Sequence, residues 1–569
     1  MPGMGTPELP LPDGLVLRPF RGVRFAVEDP AKVTSPPYDL ISDADVDALL
    51  GSHPNNVVRL ILPRSPRDDS PAQDPTARRQ TPPQHALSAP ATTPPAASPH
   101  RVASPSAEAA VASRYTEARD TLRAWLDSGV LVPDEAPALY VYEQSGPGVL
   151  QRGLIGDVGL ADPGQRIILP HEDVVPGPII DRLALMSTTQ ANLEPIFLLY
   201  DGDHGTATRL VGEVASTRPP LVSAHTEDGL THRLWAITDT SEIEAINADL
   251  HHRQALIADG HHRYATYRVL QRQEHATRHR AHPEPPPHPE EPSAGPTSTA
   301  RQAPSSRTAT PGRRPLAEGP DAGRSAGPGA GFAPEHPTPE HAAAEAAEAA
   351  RPAREPATAE GTANEGAGRD GSALGHPGPV VGPWDFGLAL LVDSTAYPPN
   401  LQAIHRVIPG LPLSEAAAKA KGAWRVRDFD DLAQGLAALE EAPEPAFLLA
   451  GGGSSHLLTD PDPMQLAHAM PPDRSERWNS LNTSVLTEFV LPKVWGMHDD
   501  EQTVRIVHHD TDAAVRLATR TGGTAVLIKP LAIDDVLAVA AGGERVPRKS
   551  TSFGPKPRTG LVLRTFAID

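Results

Sequence analysis

Two long stretches without the means to bury anything govern what this chain can fold into. From about Ser65 to Ala112 the sequence is built from Pro, Ser, Thr, Ala and Arg (SPRDDSPAQDPTARRQTPPQ and onward), with almost no aromatic or β-branched apolar residues. From about Gln273 to Pro379 it repeats that character, in HPEPPPHPEEP, TATPGRRP and GRSAGPGAGFAPEHP. Such segments cannot bury enough apolar surface to offset the entropy of ordering them, so both are expected to be disordered insertions. The helix-prone piece HAAAEAAEAARPARE lacks an apolar face, and the histidines His275, His279, His282 and His288 are expected to be solvated. The chain then divides into an N-terminal α+β segment (15–63), an insertion (64–112), a core (113–272), a second insertion (273–380) and a C-terminal α+β segment (381–569). Removing the insertions leaves roughly 400 residues, enough for two modest domains.

The rest reads as strands and helices in irregular alternation. ALYVYEQ and RGLIGDVGL look like paired strands, and PIFLLYD, HRLWAITD, FGLALLVD and TAVLI read as further ones. NNVVRLIL also reads as a strand, by its β-branched residues. Helices are expected from Ser42, over Arg114 to Val130 with Gly129 as its stop, around DRLALMSTTQANL, and over SEIEAINADLHH. No βαβ repeat emerges, so the fold class is α+β.

Composition excludes several chemistries. With no cysteine among 569 residues, disulfides, thiolate nucleophiles and cysteine-ligated metals are absent. A formal charge of −20 argues against general affinity for nucleic acid or anionic membrane. Neither a long apolar run nor an N-terminal leader is evident, which reads as a soluble, cytoplasmic protein.

Three short elements carry chemistry. QALIADGHHRYATYRVL (254–270) is an apolar strand, an Asp-Gly turn and a helix opening on two histidines and an arginine. Unpaired N–H groups at a helix start attract anions, and Gly260 allows close approach of a phosphate. Arg263 is suited to grip phosphate oxygens, His261 and His262 add donors, and Asp259 stands where an acid often holds Mg²⁺ or orients a substrate. The alternative is a plain helix start capped by Asp259. In Leu169-Pro170-His171-Glu172, a loop carboxylate after a strand can take a proton from a hydroxyl nucleophile, although Pro-His-Glu alone is an ordinary loop sequence. Near the C-terminus, Arg548-Lys549-Ser550-Thr551 sets a basic pair beside hydroxyls, suited to a carboxylate or phosphate, or else a solvated turn.

In this order the three elements resemble the free-serine kinases of the ParB/sulfiredoxin-like fold, which phosphorylate L-serine with ATP or ADP. The resemblance implies a ParB/sulfiredoxin-like core, Glu172 and Asp259 as catalytic residues, and Gly260, His261, His262 and Arg263 as the nucleotide site. It further implies His171, Lys549, Ser550 and Thr551 as substrate contacts, with Asp259 a ligand of Mg²⁺. Small-molecule substrate and nucleotide are the implied partners, and ATP or ADP with Mg²⁺ the cofactors. Ser550 stands where those kinases prefer a second threonine, and Ser552-Phe553 interrupt the Arg-His that follows there. RPFRG, PPYD, NVVRL, LPHE, NLEPIFLLYD, ADGHHRY and PRKST also look like a large bacterial family of unknown function.

A ParB-like nucleotide-binding switch without a small-molecule acceptor is the second reading, but no basic helix-turn-helix accompanies it. A sulfiredoxin-like reductase lacks its cysteine, and a metal hydrolase would need His171, His261 and His262 as ligands. Pro36-Pro37-Tyr38-Asp39 reads as a rigid turn before a helix, or as a source of pocket residues in Tyr38 and Asp39. Glu194 reads as ending a helix before the Pro195 strand, and Arg18 and Arg59 as ligands or structural ion pairs.

Overall fold

A computed structural model describes residues 9–64, 105–281, 381–500 and 502–568. The fold is α+β, built on two large sheets. The interior of the first insertion and all of the second beyond Ala281 lie outside the described residues, as do HAAAEAAEAARPARE, His282 and His288.

The first sheet has nine strands. ALYVYEQ and RGLIGDVGL form its central hairpin, Leu139–Gly146 against Val149–Gly159. Phe386–Asp393 lies beyond the hairpin, antiparallel to Val149–Gly159 and parallel to Ile196–Tyr200. Ala255–Asp259 and the short Ile168–Leu169 complete that side, while Thr231–Ile237 and Val222–His225 complete the other. Leu139 and Val141 face one core and Tyr140 and Tyr142 the other; Leu388, Leu390 and Val392 alternate likewise with Ala389 and Leu391. A sheet buried on both faces needs apolar residues at successive positions, which is why these strands read as continuous apolar runs.

Helices Pro176–Thr189, Thr206–Thr217, Thr240–Leu250 and His261–Ala281 contribute side chains to the first core, and Ile533–Ala541 packs on the second. The second sheet is antiparallel and has six strands, with Phe447–Gly451 and Thr524–Leu527 at its centre.

Three expectations are corrected. NVVRL is not a strand: Val58–Ile61 forms one helical turn, and Val57, Leu60 and Ile61 plug a core completed by Tyr115, Leu122 and Trp125. The buried Asn56 amide fixes that turn by donating to the carbonyls of Lys32 and Thr34 while accepting from Val58 N–H, so tertiary bonding outweighs β-propensity. The first low-complexity tract already becomes helical at Pro105, in a helix that runs to Asp127. Residues 273–281, assigned to the second tract by composition, instead continue the helix that runs from His261 to Ala281. There His275 is buried, its Nε2 2.8 Å from Asp385 and its ring edge-on to Trp384, and is not solvated.

Candidate functional site

Parallel pairing between Ile168–Leu169 and Ala255–Leu256 decides where the motifs meet. Strands that run together end together, so Pro170-His171-Glu172 and Asp259-Gly260-His261 leave the sheet at the same edge. The C-terminal loop joins them through a parallel bridge between Glu172 and Val546, with Val546 N–H donating to His171 O at 2.7 Å. Three motifs separated by up to 380 residues thus form one surface.

Glu172 is the hub. Its Oε1 accepts from Ser550 N at 3.1 Å, Thr551 N at 2.9 Å and Thr551 Oγ1 at 2.7 Å. Among the described residues no hydrogen-bond partner meets its Oε2. Because Thr551 spends its hydroxyl proton on Glu172, it receives one from His171, whose Nε2 lies 2.7 Å away. Burial depresses the His171 pKa to about 4, so the ring is a neutral Nε2–H donor.

The loop is braced from the second sheet as well. Buried Arg406 donates to the carbonyls of Arg548 and Lys549, at 3.2 and 2.9 Å. Arg548 pairs with Asp499 at 2.7 Å. Ser550 donates to Pro547 O at 2.5 Å. Lys549 itself sits at φ +55°, a conformation a non-glycine residue holds only where its surroundings impose it. Among the described residues no hydrogen bond or ion pair takes up its ammonium.

At the Asp-Gly turn, Gly260 has φ +94°, and an added Cβ would lie 3.0 Å from Ile196 Cγ2 and 3.2 Å from Arg263 Nε. Gly260→Ala is expected to destabilise the fold by about 1–3 kcal/mol, read from chemical denaturation. A variant with unchanged stability would mean that the turn relaxes freely.

The histidines of this turn differ. His261 is buried, accepts from His171 N–H at 3.3 Å and is held well below the usual histidine pKa by burial. His262 is half-buried, accepts from Val175 N–H at 3.1 Å, and has a pKa lowered by burial and by the charge of Lys549.

Several site expectations are sharpened. Arg263 does not project as a phosphate grip: it is buried, donating to Pro195 O at 2.5 Å and ion-paired with Asp259. His171 and Ser550 are also buried, with His171 Nε2 and the Ser550 hydroxyl turned to protein partners, so these groups hold the loop instead of facing a ligand. Arg18 and Arg59 are structural, the first paired with Asp157 at 3.0 Å and the second bonded to Pro54 O at 2.7 Å. Glu194 does not end a helix. It is buried, accepts from Tyr38 N at 3.1 Å and Thr559 Oγ1 at 3.2 Å, and burial raises its pKa despite nearby Arg263 and Arg182.

Lys556 is the residue that sequence reasoning missed, while for Asp39 the sequence offers a pocket role only as the alternative to a rigid turn. The Lys556 ammonium lies 2.5 Å from Asp39 Oδ2 and 2.5 Å from Asp259 Oδ1. Burial alone would raise the Asp39 pKa, but Lys556 outweighs it and the group is held below the usual carboxylate range. Tyr38, stacked beneath the Arg182 guanidinium, is pushed up to about 12 by burial. The signal available was PPYD itself, a motif with no assigned chemistry; nothing marked GPKPR as its partner.

This pattern bears on metal binding. Both oxygens of Asp259 already meet cations, Lys556 and Arg263. Among the described residues no group of three or more His, Asp or Glu is arranged to hold an ion. Asp259 therefore does not fit the expected role of Mg²⁺ ligand.

Residues 17–84 and 96–291 match the model of a family described as a protein of unknown function, DUF1015. The DUF1015 match spans RPFRG, PPYD, NVVRL, LPHE, NLEPIFLLYD and ADGHHRY, whereas PRKST lies beyond it. No curated protein matches the chain. Among solved structures, a free serine kinase in complex with AMP aligns at 10% identity and a TM-score of 0.27, covering 71% of this chain and 87% of that one. A conserved hypothetical protein from Pyrococcus furiosus aligns at 10% identity and a TM-score of 0.28, covering 71% and 90%. SbnI with a C-terminal truncation, from Staphylococcus aureus, aligns at 9% identity and a TM-score of 0.27, covering 70% and 82%. Among the described residues no helix is long and apolar enough to cross a membrane.

Proposed function

We propose that this chain is a small-molecule kinase, moving a phosphoryl group from ATP or ADP to the hydroxyl of free L-serine or a similar hydroxy amino acid. The observation that carries the reading is the state of Glu172: one oxygen fixed by three hydrogen bonds from the PRKST loop, the other without a partner among the described residues. A general base must be held still and yet keep an open lone pair, and this carboxylate meets both conditions.

Glu172 takes the acceptor hydroxyl proton as that oxygen bonds to phosphorus; the donor's bridging P–O bond breaks and its electron pair leaves with the nucleotide. Phosphoryl transfer asks for positioning and charge stabilisation more than covalent chemistry. The N–H groups of the helix start at His261 and the unengaged Lys549 ammonium supply positive potential for the phosphates. His262 lies within electrostatic reach of both Lys549 and Glu172. Asp259 is placed to orient the acceptor or the turn, and no metal step is routed through it.

The test is incubation of the purified full-length chain with each of ATP and ADP, Mg²⁺ in the buffer, and a mixture of hydroxy amino acids, followed by mass spectrometry. O-phosphoserine, or a phosphorylated relative, is the expected product. Absence of product with every donor, together with measurable nucleotide affinity, would favour the ParB-like switch instead.

A further inference from the structure

The PPYD turn has no part in the chemistry just proposed, yet it reaches the candidate site, through Asp39 on Lys556 and through the Tyr38 ring beside Arg263. We propose that Lys556 is a positioning residue that ties Asp39 of the PPYD turn to Asp259 of the Asp-Gly turn, so that Asp39 acts on the site without touching a ligand.

The geometry gives Lys556 few alternatives. Its side chain is only 9% exposed, and its ammonium lies between Asp39 Oδ2 and Asp259 Oδ1 at 2.5 Å each. Asp259 is held on its other oxygen by Arg263, whose own Nη1 is anchored on Pro195 O. Two carboxylates and two cations thus alternate in a line, Asp39, Lys556, Asp259, Arg263, and the formal charges cancel. A carboxylate shielded from water is costly to strip of its cation, and the Asp259 side chain is only 11% exposed. Removing the ammonium therefore frees Asp259 to rotate about its remaining bond and leaves Asp39 unpaired.

The PPYD end of the line is itself fixed. Tyr38 N–H is held by buried Glu194, which also accepts from Thr559 three residues beyond Lys556. Arg558 adds bonds to Thr34 Oγ1 at 2.7 Å and to Thr34 O at 3.3 Å. PPYD, NLEP and the segment from Lys556 to Thr559 therefore form one brace, set against the turn on which the proposed phosphate site is built. The brace accounts for a motif that local turn geometry leaves without a function.

The activity arm of the test rests on the kinase reading, and the structural arm does not. Lys556→Met, Lys556→Arg, Asp39→Asn and the double variant Asp39→Asn/Lys556→Met are compared with the wild type for kcat, KM and thermal melting. Lys556→Met is expected to lower kcat at least 30-fold, an order-of-magnitude figure for lost positioning, with KM for the acceptor changed less than about threefold and a cooperative melt retained. Lys556→Arg is expected to restore most of the loss. The double variant is expected to be no worse than Lys556→Met, because residues acting as a unit are not additive. Wild-type kcat in Lys556→Met, or losses that multiply in the double variant, overturn the proposal. If the wild type makes no phosphorylated product, the kinase reading fails, and crystal structures of wild type and Lys556→Met decide the brace alone. A displaced Asp259 carboxylate supports it, and an unmoved one overturns it.

Discussion

Glu172→Gln is expected to lower phosphoryl transfer by about 10²–10⁴-fold, the usual range for removal of a general base, while leaving the fold and the PRKST loop in place. An amide oxygen still accepts from the backbone N–H groups of Ser550 and Thr551, which supply two of the three bonds that Oε1 now receives. What is lost is the open lone pair of a carboxylate. Glu172→Ala is expected to do more: it removes every partner of that oxygen, leaving Ser550 N–H, Thr551 N–H and the Thr551 hydroxyl to find water. The two variants therefore separate chemistry from architecture. Equal melting temperatures for wild type and Glu172→Gln, a lower one for Glu172→Ala, and activity lost in both is the expected pattern, measured by scanning calorimetry alongside the mass-spectrometric assay. Full activity in Glu172→Gln would remove Glu172 from the mechanism.

The second large effect concerns acid. Burial depresses the pKa of His171, His232 and His405 to about 4, and holds that of His261 well below the usual histidine value. Unfolded histidine titrates near 6.5, so between about pH 6.5 and 4 the unfolded chain binds more protons than the folded one. Stability is then fully present above about 6.5 and is lost as the pH falls through that window. Each of the first three groups contributes up to about 3 kcal/mol, and together they rival the whole stability of an ordinary domain. The melting temperature is expected to be level above pH 7 and to drop steeply toward pH 5, followed by circular dichroism. A flat profile down to pH 4.5 would mean that these rings admit water or protonate without cost.

Much of the first sheet was legible because its strands are apolar at successive positions, a pattern that survives any tertiary context. Two of the three chemical motifs were legible for a related reason: LPHE and ADGHHRY lie where a strand ends, and local sequence encodes that, while PRKST follows a helix and stands out by its basic pair beside hydroxyls. The helix at Val58 was not, because its β-branched residues favour a strand and only the buried amide of Asn56, reaching back to Lys32 and Thr34, selects the turn. Nor was the end of the helix from His261. Its last turns lack an apolar face, and what holds them is Asp385, more than 100 residues away, which meets both Gln271 and His275 at 2.8 Å. The pairing of Lys556 with Asp39 spans 517 residues and leaves no trace in either local sequence. Local patterns announce strands and turns. Buried charge partners are set by topology, and one sequence does not announce them.

The strand Phe386–Asp393 sits between Ile196–Tyr200 and Val149–Gly159, both of which are made long before it. A chain still on the ribosome and grown only past Ala281 therefore holds two half-sheets facing each other across a missing slat, each with an open row of backbone donors and acceptors. Such edges recruit other chains, so this intermediate is the stage most exposed to aggregation. By the same logic, a fragment ending near Ala281 should be insoluble when made alone and rescued when a second fragment beginning near Val381 is made beside it.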